Sequence, residues 1–406
     1  MDLRSDKPYA LLRHGLGYVY PSIRKHIKAD VAIMGAGITG ALVAWHLIQK
    51  GIQPVILDRR HAGMGSTAAS TSLLQYEIDT PLHKLIRQVG EKNAVLSYLL
   101  CRQAIYDLHE IAKKLPEKPA FELRPSFQYA SYNSHVKDLE KEYLLRKRAG
   151  INLQLLTAND VKNLFGFQKG GGLLSADGGI IDAYPFTHAL LKHAQDKGAI
   201  VYDNTAVTHI DYDYNNVVLQ TEWGHKVTAK KLIIACGYES HHYLPKKIER
   251  LHSTYALISE PFFGKDFWHE NALIWETANP YLYMRPSSDN RILIGGKDDA
   301  FYNPTRRDAN IARKTRQLEN SFHKLFPHIP LRTDFAWAGT FASTKDGLPF
   351  IGSIPERPNT LFALGFGGNG ITFSLLAAQI ISDLLSGKNN ANGKLFSFDR
   401  RGAGVA

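Results

Sequence analysis

Residues Asp30-Val-Ala-Ile-Met-Gly35-Ala-Gly37-Ile-Thr-Gly40 restrict the possible folds of this chain more than any other stretch. They predict a buried strand from Val31 to Met34, a tight turn, a helix from Ile38 to Lys50 stopped by Gly51, and a second strand from Val55 to Leu57. Each glycine has a physical task in such a unit. Gly35 permits the turn, Gly37 lets backbone N–H groups approach a pyrophosphate, and Gly40 allows the helix to pack closely on the strand. The helix N-terminus then turns its partial positive charge toward the phosphates. Asp58, at the end of the second strand, is suited to accept hydrogen bonds from a ribose hydroxyl. The unit therefore predicts dinucleotide binding, and the acid is compatible with either NAD or FAD.

Composition sets the outer limits. The chain has 406 residues, 44% hydrophobic and 21% charged, which excludes a disordered or fibrous protein and allows two or three domains. The longest nearly apolar stretch, Ile38 to Ile48, is too short to span a bilayer and contains Thr39, Gly40 and His46. Asp2, Arg4, Asp6 and Lys7 with no apolar run beside them do not form a signal peptide, so a cytoplasmic location is expected. The two cysteines, Cys101 and Cys236, signal no disulfide framework. The net charge of +11 is spread thinly, and its short runs, Arg146 to Arg148 and Lys246-Lys247, lack interleaved aromatics, so no nucleic-acid partner is expected. Among the 17 histidines, the adjacent pair His241-His242 should point in different directions and no metal-ligand spacing appears. No metal site is expected. A serine nucleophile in a Gly-x-Ser-x-Gly elbow is also absent.

Beyond the first unit, the chain reads as helical from Thr80 to Leu115 with a break at Gly90, then as a β segment near Phe127 to Ser131 and a helix closed by Gly150. Val89 to Gly150 reads as an insertion. A helix from Pro185 to Gly198, a hairpin at Asn215-Asn216 and a buried strand from Leu232 to Ala235 follow. Residues 251–299 alternate like antiparallel strands, Asp308 to Leu325 reads as one helix, and the last quarter returns to strand, Gly-rich loop and helix. Two interleaved domains account for this order.

Two further stretches carry chemistry. Gly365-Phe-Gly367-Gly368-Asn369-Gly370 opens an apolar helix from Ile371 to Leu385, exposing backbone N–H groups at a positive helix end suited to an anion. In Tyr281-Leu-Tyr283-Met-Arg285, strand alternation puts both tyrosines and Arg285 on one face, where a guanidinium can pair with a carboxylate between aromatic walls.

Gly63-Met-Gly65-Ser66-Thr67-Ala68-Ala69-Ser70, Ala235-Cys236-Gly237, and Trp337-Ala-Gly-Thr leading to Asp346-Gly-Leu-Pro349-Phe-Ile-Gly352 and the Gly365 to Gly370 loop complete a pattern. With the first unit they resemble the D-amino-acid-oxidase-like FAD-dependent oxidoreductases, which include glycine and sarcosine oxidases, D-amino-acid dehydrogenases and gamma-glutamylputrescine oxidase. The resemblance implies an α/β fold. Its FAD domain would be Rossmann-like, of glutathione-reductase type, and discontinuous over 1–88, 151–243 and 331–406. A mixed antiparallel-sheet α+β substrate domain would be inserted at 89–150 and 244–330.

The resemblance assigns FAD binding to Gly35, Gly37, Ile38, Thr39, Gly40, Asp58, Arg59, Gly65, Ser66, Thr67, Val207, Ala235, Gly237, Gly367, Gly368, Asn369, Gly370 and Ile371. In the family the last loop faces the flavin N1–C2=O edge. FAD should be non-covalent, since the positions that carry an attaching His or Cys in some relatives read Ala69 and Gly339. Arg285 would hold a substrate carboxylate, with Tyr283 and Tyr281 as the pocket wall, and His252, Ser253 and Tyr255 are further pocket candidates. Thr340-Phe341-Ala342 stands where many amino-acid and sarcosine oxidases have Leu-Arg-Pro, so a second anion-binding Arg is missing. The implied activity is oxidation of the C–N bond of an amino acid or related amine, with oxygen or a quinone as electron acceptor. A 2-hydroxy-acid oxidoreductase of the same fold and a non-catalytic FAD-binding module are the alternatives.

Overall fold

The structure, a computed structural model, describes residues 1–263 and 267–400. Its first sheet grows from the predicted strand–helix–strand unit. Strand Ile27–Met34 lies between Val55–Leu57 and Lys226–Ile234, and the parallel run extends to Ile200–Tyr202 on one side and Thr360–Leu364 on the other. Phe350–Gly352 adds an antiparallel edge, and the hairpin Val207–Tyr212/Val217–Thr221 joins through Lys226–Ile234. Because side chains alternate along a strand, Ile33, Ile56, Ile233 and Ala363 enter one core. Their neighbours Ala32, Leu57, Leu232 and Phe362 enter another on the opposite face. Helices Ile38–Gln49, Ala183–Asp196 and Gly370–Leu385 contribute buried residues to the first of these cores. Burial on both faces explains why these strands read as continuous apolar runs.

Among the described residues the second sheet has nine strands. Thr333–Ser343, Arg250–Ser259, Ile292–Asp299, Leu282–Pro286 and Leu273–Glu276 follow one another antiparallel. Phe121–Tyr129 then pairs parallel with Leu273–Glu276 and leads to Gly171–Ile181, which carries Leu73–Gln75 and Leu153–Thr157. Helix Ile311–Leu325 covers one face, burying Leu318, Phe322 and Leu325 against Leu257, Met284 and Ile294. The other face, with Tyr283 and Trp337, looks toward the first domain.

Sheet membership departs from the expected boundaries. Strands at 73–75, 153–157, 171–181 and 333–343, all in spans assigned to the FAD domain, pair in the second sheet. Conversely, helix Glu91–Lys114, expected in the insertion, buries Tyr98, Cys101, Ile105 and Leu108 in the core of the first domain. Long-range pairing and apolar faces, rather than position along the chain, determine which half each segment joins. The predicted helix Asp308 to Leu325 is two helices, Pro304–Ala309 and Ile311–Leu325, separated at Asn310. Gly90 breaks the earlier helix as expected, with φ +86°. No helix among the described residues is long and apolar enough to cross a membrane.

Candidate active site

A cleft of about 250 Å³ runs along the C-terminal ends of the parallel strands, the usual ligand position in such sheets. Its shape comes from the glycine turn. Gly35 has φ +108°, and a Cβ there would meet the Ala235 carbonyl oxygen at 2.4 Å, so only glycine fits. A Cβ on Gly40 would lie 1.8 Å from the Gly35 oxygen, which fixes how closely the helix packs. At Gly37 a Cβ would meet only the Thr67 hydroxyl, at 3.0 Å, leaving this backbone open to a ligand.

Asp58 closes the base of the cleft. Its carboxylate accepts hydrogen bonds from the backbone N–H of Ala36 at 2.7 Å and of Arg60 at 2.9 Å. Burial raises its pKa to about 6, with those two N–H groups opposing the rise. Each oxygen keeps a lone pair for a ribose hydroxyl. Arg59 donates to Glu239 at 3.2 Å, and Arg60 reaches the same carboxylate at 2.9 and 3.1 Å. The Ser66 hydroxyl is buried without a hydrogen-bond partner and borders the cleft, as expected where a polar ligand supplies the missing bond. The residues present therefore fit a dinucleotide cofactor.

Of the anticipated cofactor residues, Gly35, Gly37, Ile38, Thr39, Asp58, Arg59, Gly65, Ser66, Thr67, Val207, Ala235, Gly237, Gly370 and Ile371 line this cleft. Gly40 does not, since it is spent on packing. Asn369 is also turned away, its amide nitrogen donating to the carbonyls of Gln75 and Glu77 at 3.0 and 2.9 Å. Gly367 and Gly368 border a second cavity.

That second cavity, about 150 Å³, continues from the cleft past Leu3, Ser66, Ser70, Tyr238, Gly370 and Ile371, which border both. Tyr281 and Tyr283 form one wall, their ring centroids 5.8 Å apart. Tyr283 can lie flat over the adjacent strand because Gly295, its register partner, has no side chain; a Cβ there would strike the ring at 2.2 Å. Burial raises the Tyr283 phenol to about 12 and the Tyr281 phenol well above its ordinary value. Ala69 and Gly339, the positions without an attaching nucleophile, also border this cavity and face one another.

Three expectations are corrected here. Arg285 shares the strand face of Tyr283 but is not brought to the cavity. It lines a separate, smaller one beyond Ser70, Ser72 and Trp337, together with Arg13, Glu122 and Asp182. Its Nε donates to the Thr71 carbonyl at 2.8 Å and its Nη1 to the Pro286 carbonyl at 3.1 Å, and burial lowers its pKa to about 10. Two residues along a strand displace a side chain by nearly 7 Å, enough to carry Arg285 past the wall.

The Gly-rich turn, secondly, does not hold all its N–H groups open, because Gly368 donates to Asp79 Oδ2 at 2.8 Å while Tyr281 donates to Asp79 Oδ1 at 3.2 Å. Burial among protein atoms raises the Asp79 pKa against those two donors. Thirdly, the His241 and His242 rings do not diverge but lie with centroids 4.0 Å apart, folded together by a 3-10 turn.

Among the further pocket candidates, Tyr255 borders the cavity, although its hydroxyl donates to Asp299 at 2.9 Å. His252 is tied to Ser343 at 2.8 Å, and Ser253 donates to the Phe301 carbonyl at 2.9 Å. A register shift between Ser253 and Tyr255 instead presents Thr254. Sequence reasoning missed Thr254, Tyr238, Asp79 and Asp298. The glycine pair Gly295-Gly296, just before Asp298 on the strand beside the tyrosines, was the available signal for a cavity there. No group of His, Cys, Asp or Glu among the described residues is arranged to hold a metal ion.

A discontinuous dinucleotide cleft opening into a second cavity under an inserted sheet defines a two-domain flavoprotein-type architecture. Residues 30–384 match the family described as FAD dependent oxidoreductase, and the chain belongs to that family. It is 26% identical to glycine oxidase of Geobacillus kaustophilus (strain HTA426) over 90% of this chain and 94% of that protein. To gamma-glutamylputrescine oxidoreductase of Escherichia coli (strain K12) it is 25% identical, over 91% of this chain and 86% of that one. In fold it matches the crystal structure of the Geobacillus kaustophilus glycine oxidase with a TM-score of 0.78 at 22% identity, covering 92% of this chain and 97% of the other. The protein is an FAD-dependent oxidoreductase.

Proposed function

We propose that the protein oxidises the C–N bond of an amine or amino acid, the resulting imine hydrolysing in water. One observation carries this reading: the cofactor cleft is continuous with a separate aromatic-walled cavity large enough for a small molecule, so a substrate bound there would adjoin a cofactor held in the cleft. The names of the relatives, glycine oxidase and gamma-glutamylputrescine oxidoreductase, support the C–N class of substrate. FAD, when bound, supplies the acceptor for the hydride that leaves the substrate carbon.

The chain's own residues position and enclose. The backbone N–H of Gly37 and the hydroxyls of Ser66 and Thr67 would hold the cofactor's phosphate and sugar region, with Asp58 on a ribose hydroxyl, while the N–H groups of Gly35, Ala36 and Ile38 are spent on Leu57, Asp58 and Thr67 and fix the shape of the turn. Tyr281 and Tyr283 fix the substrate and keep water out. The N-terminal end of the helix at Gly370 would favour negative charge on a flavin held beside it. The test is anaerobic addition of amines and amino acids to the purified yellow protein, with bleaching of the flavin absorbance expected. Bleaching by 2-hydroxy acids alone would replace this reading with a C–O one. A yellow protein that nothing reduces would be a binding module.

A further inference from the structure

We infer that the cavity selects a cationic amine whose reacting carbon bears no carboxylate, and that Asp298 holds its ammonium group. The inference rests on the amine-oxidising reading above and narrows it to one substrate class.

The lining of the cavity among the described residues contains Asp298 and no Lys, Arg or His. An α-amino acid would bring a carboxylate into this space with no cation to meet it, and an unpaired charge withdrawn from water is costly. The nearest cations are committed elsewhere. Arg285 donates to the carbonyls of Thr71 and Pro286 in the neighbouring cavity. Lys314, behind the strand, donates to the Lys297 carbonyl at 2.5 Å and to Asp299 at 2.6 Å. His252 is bonded to Ser343 and stacked on Phe341, centroids 5.0 Å apart.

Asp298 is the converse case, a carboxyl short of partners. Its Oδ1 is closed off from solvent and has no hydrogen-bond partner. The Thr254 hydroxyl beside it favours its charged form. Burial raises its pKa to about 7, with Thr254 and the more distant Lys314 ammonium opposing the rise and Asp79 and Asp299 adding to it. A cation arriving through the cavity supplies what this carboxyl lacks, and the ammonium proton passes to the Asp298 carboxylate before hydride leaves the carbon, so that the neutral nitrogen's lone pair forms the imine. The remaining walls suit such a guest: Tyr281 and Tyr283 present aromatic faces that attract cations. Asp79 stands behind Tyr281, receiving its hydroxyl, and makes the region more negative still.

The test compares matched pairs on the FAD-loaded protein: n-butylamine against 2-aminopentanoate, and N-methylbutylamine against 2-(methylamino)pentanoate. Flavin absorbance is followed anaerobically against concentration, for wild type and Asp298→Asn, with FAD content measured in both. The amines should bleach the wild-type flavin and saturate, and the carboxylate-bearing partners should be weaker by roughly 30-fold or more, the scale of leaving a buried charge unpaired. Asp298→Asn, which keeps shape and loses charge, should weaken the amines by a similar factor at unchanged FAD content. Amino acids reducing the wild-type flavin as readily as the amines would overturn the inference while leaving C–N oxidation standing, as would unchanged amine saturation in Asp298→Asn. A loaded flavin that neither set reduces would overturn the underlying reading with it. The wild-type comparison decides even if the variant fails to fold.

Discussion

At the residue scale, glycines of one motif separate into different tasks, and substitution should reveal them. Gly37 meets nothing but the Thr67 hydroxyl, so Gly37→Val is expected to fold and to lose FAD, because its side chain would stand where the pyrophosphate approaches. Gly40→Ala forces a Cβ to 1.8 Å from the Gly35 oxygen and should fail to accumulate as folded protein. Melting curves and flavin content of the two variants check this; full FAD occupancy in Gly37→Val would contradict the placement of the cofactor. Arg285 is the second case. Its hydrogen bonds to Thr71 and Pro286 make it a positioning residue for the segment that separates the two cavities. Arg285→Met should cost about 1–3 kcal/mol of stability by leaving buried carbonyls unpaired, and should leave the concentration dependence of flavin reduction where it was. A large shift in substrate saturation at unchanged melting temperature would restore the carboxylate-clamp role that the strand pattern suggests.

At the scale of elements, the helix Gly370–Leu385 brings a positive end to the junction of cleft and cavity, and Asp79 partly counters it by occupying the Gly368 N–H. The two oppose each other in setting how readily an adjacent flavin accepts electrons. Asp79→Asn keeps an acceptor for Gly368 and removes the charge. Its flavin midpoint potential should therefore rise, by about 1–2 kcal/mol or roughly 20–40 mV for a two-electron couple. Equilibration with reference dyes measures it, and an unchanged or lower potential would mean that Asp79 does not face the ring. The neighbouring strands show a similar division of labour. Leu282–Pro286 offers Tyr283 to the cavity only because Ile292–Asp299 places Gly295 opposite it, so the wall is a property of the pair and of neither strand alone.

At the scale of the whole molecule, the passage from the first sheet into the second buries Glu249 just before strand Arg250–Ser259. Neither carboxyl oxygen has a hydrogen-bond partner, and the ring nitrogen His241 Nδ1, 3.6 Å away, is engaged with the Tyr238 carbonyl at 2.7 Å. Burial raises its pKa from 4.5 to about 8. The folded state thus holds a proton that the unfolded chain releases above about pH 4.5, and stability from this group is full below that value and lost as pH rises toward 8. Glu249→Gln should melt above wild type at pH 8, by on the order of 2–4 kcal/mol at most, and near it at pH 5. A margin that does not grow with pH would show that Glu249 is satisfied in the fold.

The same scale separates what each level of description supplies. The dinucleotide half was legible in Asp30 to Asp58 because its information is local: a φ only glycine adopts at Gly35, close packing at Gly40, and strands apolar on both faces. The paired tyrosines were legible through strand alternation. That same alternation put Arg285 beside them, since it records which face a side chain leaves by and not how far along the strand a cavity extends. The sheet partners of 73–75, 153–157 and 333–343, the bulge that presents Thr254, and the cation-free lining around Asp298 depend on contacts between segments far apart in the chain. By itself the sequence determined the dinucleotide-binding unit from Asp30 to Asp58, whose parts lie close together in the chain; only the tertiary structure decided the charge of the substrate cavity, because its walls come from strands that meet only when both sheets have formed.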